Sequence, residues 1–395
     1  MEENNISKIS KSQCCGCGIC SITCPKYAIT MTQDKEGFLY PTVCLDKCIS
    51  CKKCLKVCVA YSQDKRQMPF TGYAAINENK IQLSKSASGG VFSAIATHFI
   101  QQGGIVCGAV CLFENSIPVI KHIIINDNSE LQLLQGSKYV QSDIRNVLTP
   151  IRDALNNKKK VLFSGTPCQV AGVRSFLNKE YENFYSIDLI CHGVPNAQLF
   201  SMYSLNLKKK YGGNIVSFKF RDKEYGWGKY GSFEVEDKGK IKKIPMPCEK
   251  SSYYSFLMSS NLQRKSCFSC LYASNQRIGD ITIGDYWGIE YTHPEIIEKH
   301  DIKLGVSCIL VNTKKGQQLV SNYGDDLIII ETGSNDIIEN NDKLRQPARK
   351  GIYRELIYKL AFSSGSGYWM VEMLFLISRV KNKAQYVLKK WFIYS

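Results

Sequence analysis

Eighteen cysteines in 395 residues are the first feature with chemistry in it, and ten of them fall between Cys14 and Cys58. Cys14, Cys17, Cys20 and Cys24 read C-x2-C-x2-C-x3-C with Pro25 next, and Cys48, Cys51, Cys54 and Cys58 repeat that spacing. Each cysteine of the second set lies 34 positions after its counterpart, so the segment is an internal duplication. Three closely spaced thiolates wrap one corner of an iron–sulfur cubane. A tight loop cannot surround all four irons, so the fourth thiolate, carried away by a helical turn, reaches the other cluster. The predicted ligand sets interlock: Cys14, Cys17, Cys20 and Cys58 for one 4Fe-4S cluster, Cys48, Cys51, Cys54 and Cys24 for a second. Zinc is the rival, but it takes four tetrahedral ligands, usually as two separated pairs.

The spacing is that of bacterial two-cluster ferredoxins. Val59 stands where a proline is expected after the last cysteine, which loosens one turn without removing a ligand. Cys15 and Cys44 are extra and are read as free thiols. Such a pair of clusters moves single electrons and makes no bonds, so the rest of the chain must say what supplies them.

Past a polar linker, Ser62 to Pro69, apolar β-rich runs (104–110, 122–125, 160–163, 185–190) alternate with helix-like stretches (90–101, 149–156, 168–177). The expected fold is α/β (α+β): a small ferredoxin-like module at 1–65, then a mixed-sheet α/β domain in two parts, 70–195 and 196–350, then a basic helical tail at 351–395. The strand 160–163, the helix opening at Cys168 and the strand ending before Cys191 imply parallel strands. Cys168 and Cys191 then share one carboxyl edge, where ligands bind. The helix dipole is expected to favour the Cys168 thiolate. Each is by itself most simply a buried cysteine, but Cys267-x2-Cys270 completes a four-thiolate set, predicting a third 4Fe-4S cluster on Cys168, Cys191, Cys267 and Cys270. Cys248 is a substitute for one of them; Cys107, Cys111 and Cys308 read as core. A Cys191–His192 nucleophile–base pair has poor geometry, because neighbours in a strand point to opposite faces.

Ser88-Gly89-Gly90 opens a helix whose free N–H groups suit a phosphate or a plain cap. Gly136-Ser137-Lys138-Tyr139 offers a turn with a cation and an aromatic ring, although such a lysine is more often solvated. Lys219 and Arg221 share a strand face that suits an anionic substrate or solvent. Asp280 and Asp285 bracket a strand leading to Tyr286-Trp287-Gly288, as turn residues or pocket residues.

Lys and Arg number 51 against 35 Asp and Glu, a net charge of +16 that splits as +4 over 1–70, +7 over 71–350 and +5 over 351–395. A spread excess with no long basic run points to acidic proteins, anionic cofactors or lipid; no nucleic-acid motif is present. The N-terminal residues lack the apolar core of a secretory signal, and no run of about 18 apolar residues occurs. The chain is therefore expected in a reducing cytoplasm, where clustered cysteines mean metal or redox chemistry. The aromatic tail, with Trp369, Phe375, Tyr386, Trp391 and Phe392, either lies on a membrane surface or a partner or packs back on the domain.

In order along the chain, Ser88-Gly89-Gly90, Gly136-Ser137-Lys138-Tyr139, Gly165-Thr166-Pro167-Cys168-Gln169, Asp188-Leu189-Ile190-Cys191-His192-Gly193-Val194-Pro195, Phe220-Arg221-Asp222-Lys223, Cys267-x2-Cys270 and the 280–288 segment resemble the family of the coenzyme F-420 hydrogenase/dehydrogenase beta subunit. The resemblance spans about residues 70–315 behind the ferredoxin-like module. It implies an FAD-binding α/β domain with its own 4Fe-4S cluster, serving as an electron port. The residues expected at FAD are Ser88, Gly89, Gly90, Gly136, Ser137, Lys138, Tyr139, Gly165, Thr166, Pro167 and His192. The implied partner is a redox protein such as a ferredoxin or another subunit. The alternatives are a relay subunit with no substrate of its own and a flavin-free regulatory cluster protein.

Overall fold

The computed structural model describes residues 4–61, 65–228, 230–363 and 367–394, with side chains described as far as Lys381. Ser62, Gln63 and Asp64 of the expected linker lie outside the described residues. The segment after them is not loose: Gln67 and Arg277 exchange backbone hydrogen bonds of 2.8 and 2.7 Å, docking it on the domain.

The N-terminal segment carries a hairpin of β1 (Ile29–Gln33) and β2 (Leu39–Val43), flanked by the short helices Ile19–Thr23 and Lys53–Lys56. The duplication is visible in the backbone. Gly16 and Gly18 have φ of +70 and +77°, and Ser50 and Lys52, each 34 positions on, have +51 and +60°. Ile6, Cys20, Ile29, Cys54 and Leu55 form its small core, whereas Val59 is buried in the core of the main domain.

Eight strands make the main sheet: β3 (Thr71–Asn77), β4 (Ile105–Glu114), β5 (Ile117–Ile125), β6 (Val161–Gly165), β7 (Phe184–Leu189), β11 (Ile281–Asp285), β12 (Ser307–Val311) and β13 (Leu327–Glu331). The remaining three, β8 (Asn214–Lys219), β9 (Tyr230–Asp237) and β10 (Lys240–Pro247), form a separate antiparallel sheet. Spatial order in the large sheet is β13-β3-β12-β11-β7-β6-β4-β5; β11, β7, β6 and β4 run parallel, and antiparallel strands close both sides. The fold is thus mixed α/β. Val161, Leu162 and Phe163 are completely buried, as a continuous apolar run should be in a central parallel strand. In the β9–β10 hairpin, Lys238 and Gly239 both have positive φ, the two-residue turn that the Asp-Lys-Gly text implies.

The helix Pro167–Leu177 starts where its sequence says it should. Proline occupies its first turn, and the Gln169 side chain reaches back to accept the Thr166 N–H at 3.1 Å. The tail forms the helices Arg354–Phe362 and Tyr368–Tyr394. Tyr368, Val371 and Phe375 are buried against Tyr203, Tyr253 and Phe256, so the near half of the last helix packs back on the domain.

Buried ion pairs fix the loops around the sheet edge. Arg277 and Asp188 meet at 2.7 Å with side chains 1% and 0% exposed. Arg277 also donates to Thr282, Tyr272, Ser274 and Leu189, and Asp188 accepts the N–H groups of Ile278 and Gly279. Arg277→Met should lower unfolding stability by about 3–5 kcal/mol, since it leaves a buried carboxylate unpaired. The double variant Asp188→Leu/Arg277→Met should recover part of that loss, measured by denaturant unfolding.

Candidate functional site

The parallel strands deliver the expected residues to one place. β6 ends at Gly165 and leads through Thr166 to Cys168; β7, paired with it Gly165 to Asp188, runs on to Cys191 and His192; β11 ends at Asp285 before Trp287. Between these ends and the loop after β3 lies a cavity of about 810 Å³. Ser88, Gly90, Gly136, Ser137, Lys138, Tyr139, Gly165, Thr166 and His192 line it, together with Cys15, Cys17, Cys168 and Cys191. Gly89 and Pro167 do not. Gly89 presses against the backbone of β3 and β12, where an added Cβ would come within 2.1 Å of the Ala75 carbonyl, and Pro167 is buried in the helix start.

Three residues at the site depart from expectation, and a fourth, Lys138, stands in the cavity wall as expected. The Lys138 Nζ donates to the Leu133 and Gln135 carbonyls at 3.0 and 2.7 Å, and burial pulls its pKa down to about 7. Lys219 and Arg221 do not share a function. β8 stops at Lys219, which is exposed, so the alternation does not carry on to Arg221. Arg221 turns inward to pair with Asp285. Cys168 is not activated by its helix terminus, because contact with Cys15 and burial raise its pKa well above the ordinary thiol value.

The far side of the cavity was not legible in advance. Trp227 donates to Asp285 at 2.8 Å and stacks on Trp287 with ring centres 5.1 Å apart, and Arg221 lies over Trp287. Tyr254, Met258, Lys343 and Arg349 complete that wall. Asp280, by contrast, is structural: it accepts from Ser186, Thr313 and Arg174 behind the sheet. His122 on β5 also lines the cavity. It stacks on Phe163, its Nε2 lies 3.1 Å from the Ser164 carbonyl, and its buried Nδ1 has no partner.

All eighteen cysteines are unbridged. Cys24, Cys48, Cys51 and Cys54 line one small hollow in the N-terminal segment. Cys20 lies among Cys14, Cys58 and Cys54, and Cys17 touches Cys15 and neighbours Cys20. Cys168 has Cys15, Cys270 and Cys191 around it, and Cys267 has Cys191 and Cys270. The structure thus brings together the members of each expected set, and adds Cys15, read above as a free thiol, between Cys17 and Cys168. Cys44 is exposed, and Cys248 packs beside the aromatic core. Cys107 and Cys308 are buried in the sheet and Cys111 half-buried on it, as core residues.

Backbone N–H donors surround several of these sulfurs. Ala28 N–H donates to Cys24 at 3.3 Å and Gly193 N–H to Cys191 at 3.4 Å; backbone groups of Gly16, Ile19, Ser21 and Tyr272 serve Cys14, Cys17, Cys20 and Cys270. Burial pushes Cys58 and Cys267 up to about 12 and Cys191 to about 11. Among the described residues no three His, Cys, Asp or Glu side chains are grouped so that they could hold a metal ion. Arg264, 1% exposed, holds the loop from below, donating to the Cys14 carbonyl at 2.8 Å and to Gln141 at 3.1 Å while lying 4.2 Å over Tyr40. Its charge favours the thiolates of Cys14, Cys15 and Cys267.

The site is thus a cavity at the parallel edge of an α/β domain, with thiols in its wall. Residues 158–335 match the model for the C terminus of the coenzyme F420 hydrogenase/dehydrogenase beta subunit. The chain is similar to these beta subunits across that segment. It is 22% identical over 335 residues to the F subunit of the F(420)H(2) dehydrogenase of Methanosarcina mazei, covering 79% of this chain and 88% of that one. Among solved structures it resembles a chain of the F420-reducing [NiFe] hydrogenase complex from Methanosarcina barkeri, with 17% identity, a TM-score of 0.44, and coverage of 78% of this chain and 98% of that one.

Burial holds the His122 pKa near 4, below its ordinary 6.5. The unfolded chain therefore takes up this proton first, and stability present above pH 6.5 is lost as pH falls towards 4. Between pH 7 and pH 5 the loss from this residue should be about 2 kcal/mol. Denaturant unfolding of His122→Phe, which keeps the stack on Phe163, should show a pH slope shallower by that amount.

Proposed function

We propose that this chain is an iron–sulfur flavoprotein oxidoreductase, passing electrons between a two-electron donor or acceptor at FAD and one-electron carriers through 4Fe-4S clusters. The observation that carries the reading is an unbroken sequence of thiols leading away from the cavity. Cys168 and Cys191 stand in its wall, Cys15 and Cys17 link them to Cys20, and Cys20 adjoins Cys54 of the farthest group. A flavin accepts electrons in pairs and releases them singly, whereas each cluster carries one.

Cys168, Cys191, Cys267 and Cys270 hold the cluster beside the cavity. Cys14, Cys17, Cys20 and Cys58 hold the next, and Cys24, Cys48, Cys51 and Cys54 the outermost. Arg264 supplies buried positive charge between the first two groups. FAD fits the cavity volume, which lies within the roughly 300–1,000 Å³ of cofactor pockets. Its polar contacts fall to Ser88, Gly90, Gly136, Ser137, Lys138, Gly165, Thr166 and His192, and the unpartnered Nδ1 of His122 offers one more. The Arg221–Asp285 pair and Trp287 orient the two-electron partner, which is F420 or another hydride carrier. The outermost cluster faces a redox protein, a ferredoxin or another subunit, in the cytoplasm.

Anaerobic purification with iron, acid-labile sulfide and released-flavin counts tests this reading. About twelve irons per chain and one FAD are expected. About eight irons without flavin would leave a two-cluster relay and end the enzyme reading. Cys168→Ser or Cys270→Ser should remove about four irons and spare the rest. Cys15→Ser should keep all three clusters, because four other thiols complete each set.

A further inference from the structure

The helix Tyr368–Tyr394 has a face that the redox reading does not use. Its inner side is committed: Tyr368, Val371 and Phe375 are buried, and Glu372 accepts the Ser252 hydroxyl at 2.6 Å. On the other side Trp369, Met373, Leu376, Ile377 and Val380 are 59, 50, 51, 61 and 71% exposed. Steps of four, three, one and three residues put these five on one stripe. The sequence keeps the same period through Ala384, Val387, Leu388 and Trp391. An exposed apolar stripe such as Trp369 to Val380 marks a contact surface.

The charge of the helix selects the partner. Its sequence carries Arg379, Lys381, Lys383, Lys389 and Lys390 against the single acid Glu372, and that acid is turned to the core. A second copy would oppose these cations with its own, so self-association is disfavoured. Among the described residues no helix is long and apolar enough to cross a membrane. We propose that this helix lies on an anionic lipid surface, its apolar stripe in the interface and its lysine and arginine residues among the headgroups. The family match ends at residue 335, well before the helix begins, and the proposal does not depend on flavin or clusters.

Flotation of the full-length, anaerobically purified protein tests it. The protein should float with vesicles of equimolar phosphatidylcholine and phosphatidylglycerol, stay behind with phosphatidylcholine alone, and be released by added salt. Ile377→Asp/Val380→Asp changes two exposed positions, so thermal stability and iron content should match the parent while the bound fraction falls at least about tenfold. No flotation with the anionic vesicles, equal flotation with both lipids, or undiminished flotation of the double variant would each overturn the proposal. So would a dimer in size-exclusion light scattering that the double variant dissolves, since a second copy would then cover the stripe.

Discussion

The geometry of the sheet edge rests on the Asp188–Arg277 ion pair, buried to 0 and 1% side-chain exposure. Desolvating two charges is costly, and the pair is tolerable because nearly everything else it offers is satisfied. The guanidinium reaches five acceptors, and the carboxylate also takes two backbone N–H groups. What it gains is position. Asp188 lies in β7 three residues before Cys191, and Arg277 follows Cys267 and Cys270 by less than a dozen residues. Joining them sets the end of a parallel strand against a loop with no regular structure of its own, and the four thiols meet there.

The same device attaches the N-terminal segment. Arg264 ties the Cys14 loop to the domain, and Arg354 pairs with the buried Glu36 at 2.8 Å. Gly16 is needed at the first of these contacts, since an added Cβ would come within 2.6 Å of the Arg264 guanidinium. A rigid junction keeps the thiol groups contiguous across the two parts of the chain. Fixed separations of that kind are what the proposed path of single electrons requires.

Much of this was legible in the sequence. The duplicated cysteine spacing is plain, since the 34-residue repeat is a covalent property of the chain. The strand–turn–helix around Gly165–Cys168 follows from an apolar run, a proline at the helix start and a capping glutamine. Where the reading went astray, a tertiary contact overruled a local preference. Cys168 was expected to ionise from its helix position and is held back by Cys15 and burial. Arg221 looked like a partner of Lys219 and belongs to Asp285, 64 residues away.

The amino-acid sequence alone therefore determined the chemistry available, thiols in cluster spacing and a glycine-rich parallel edge, because spacing and turn preference act over a few residues. Tertiary structure decided which side chains meet: that Cys15 bridges two thiol groups, that Trp227 and Trp287 stack over the far wall, and that one face of the last helix stays exposed. Those outcomes depend on packing between segments tens to hundreds of residues apart, and no local pattern encodes such a distance.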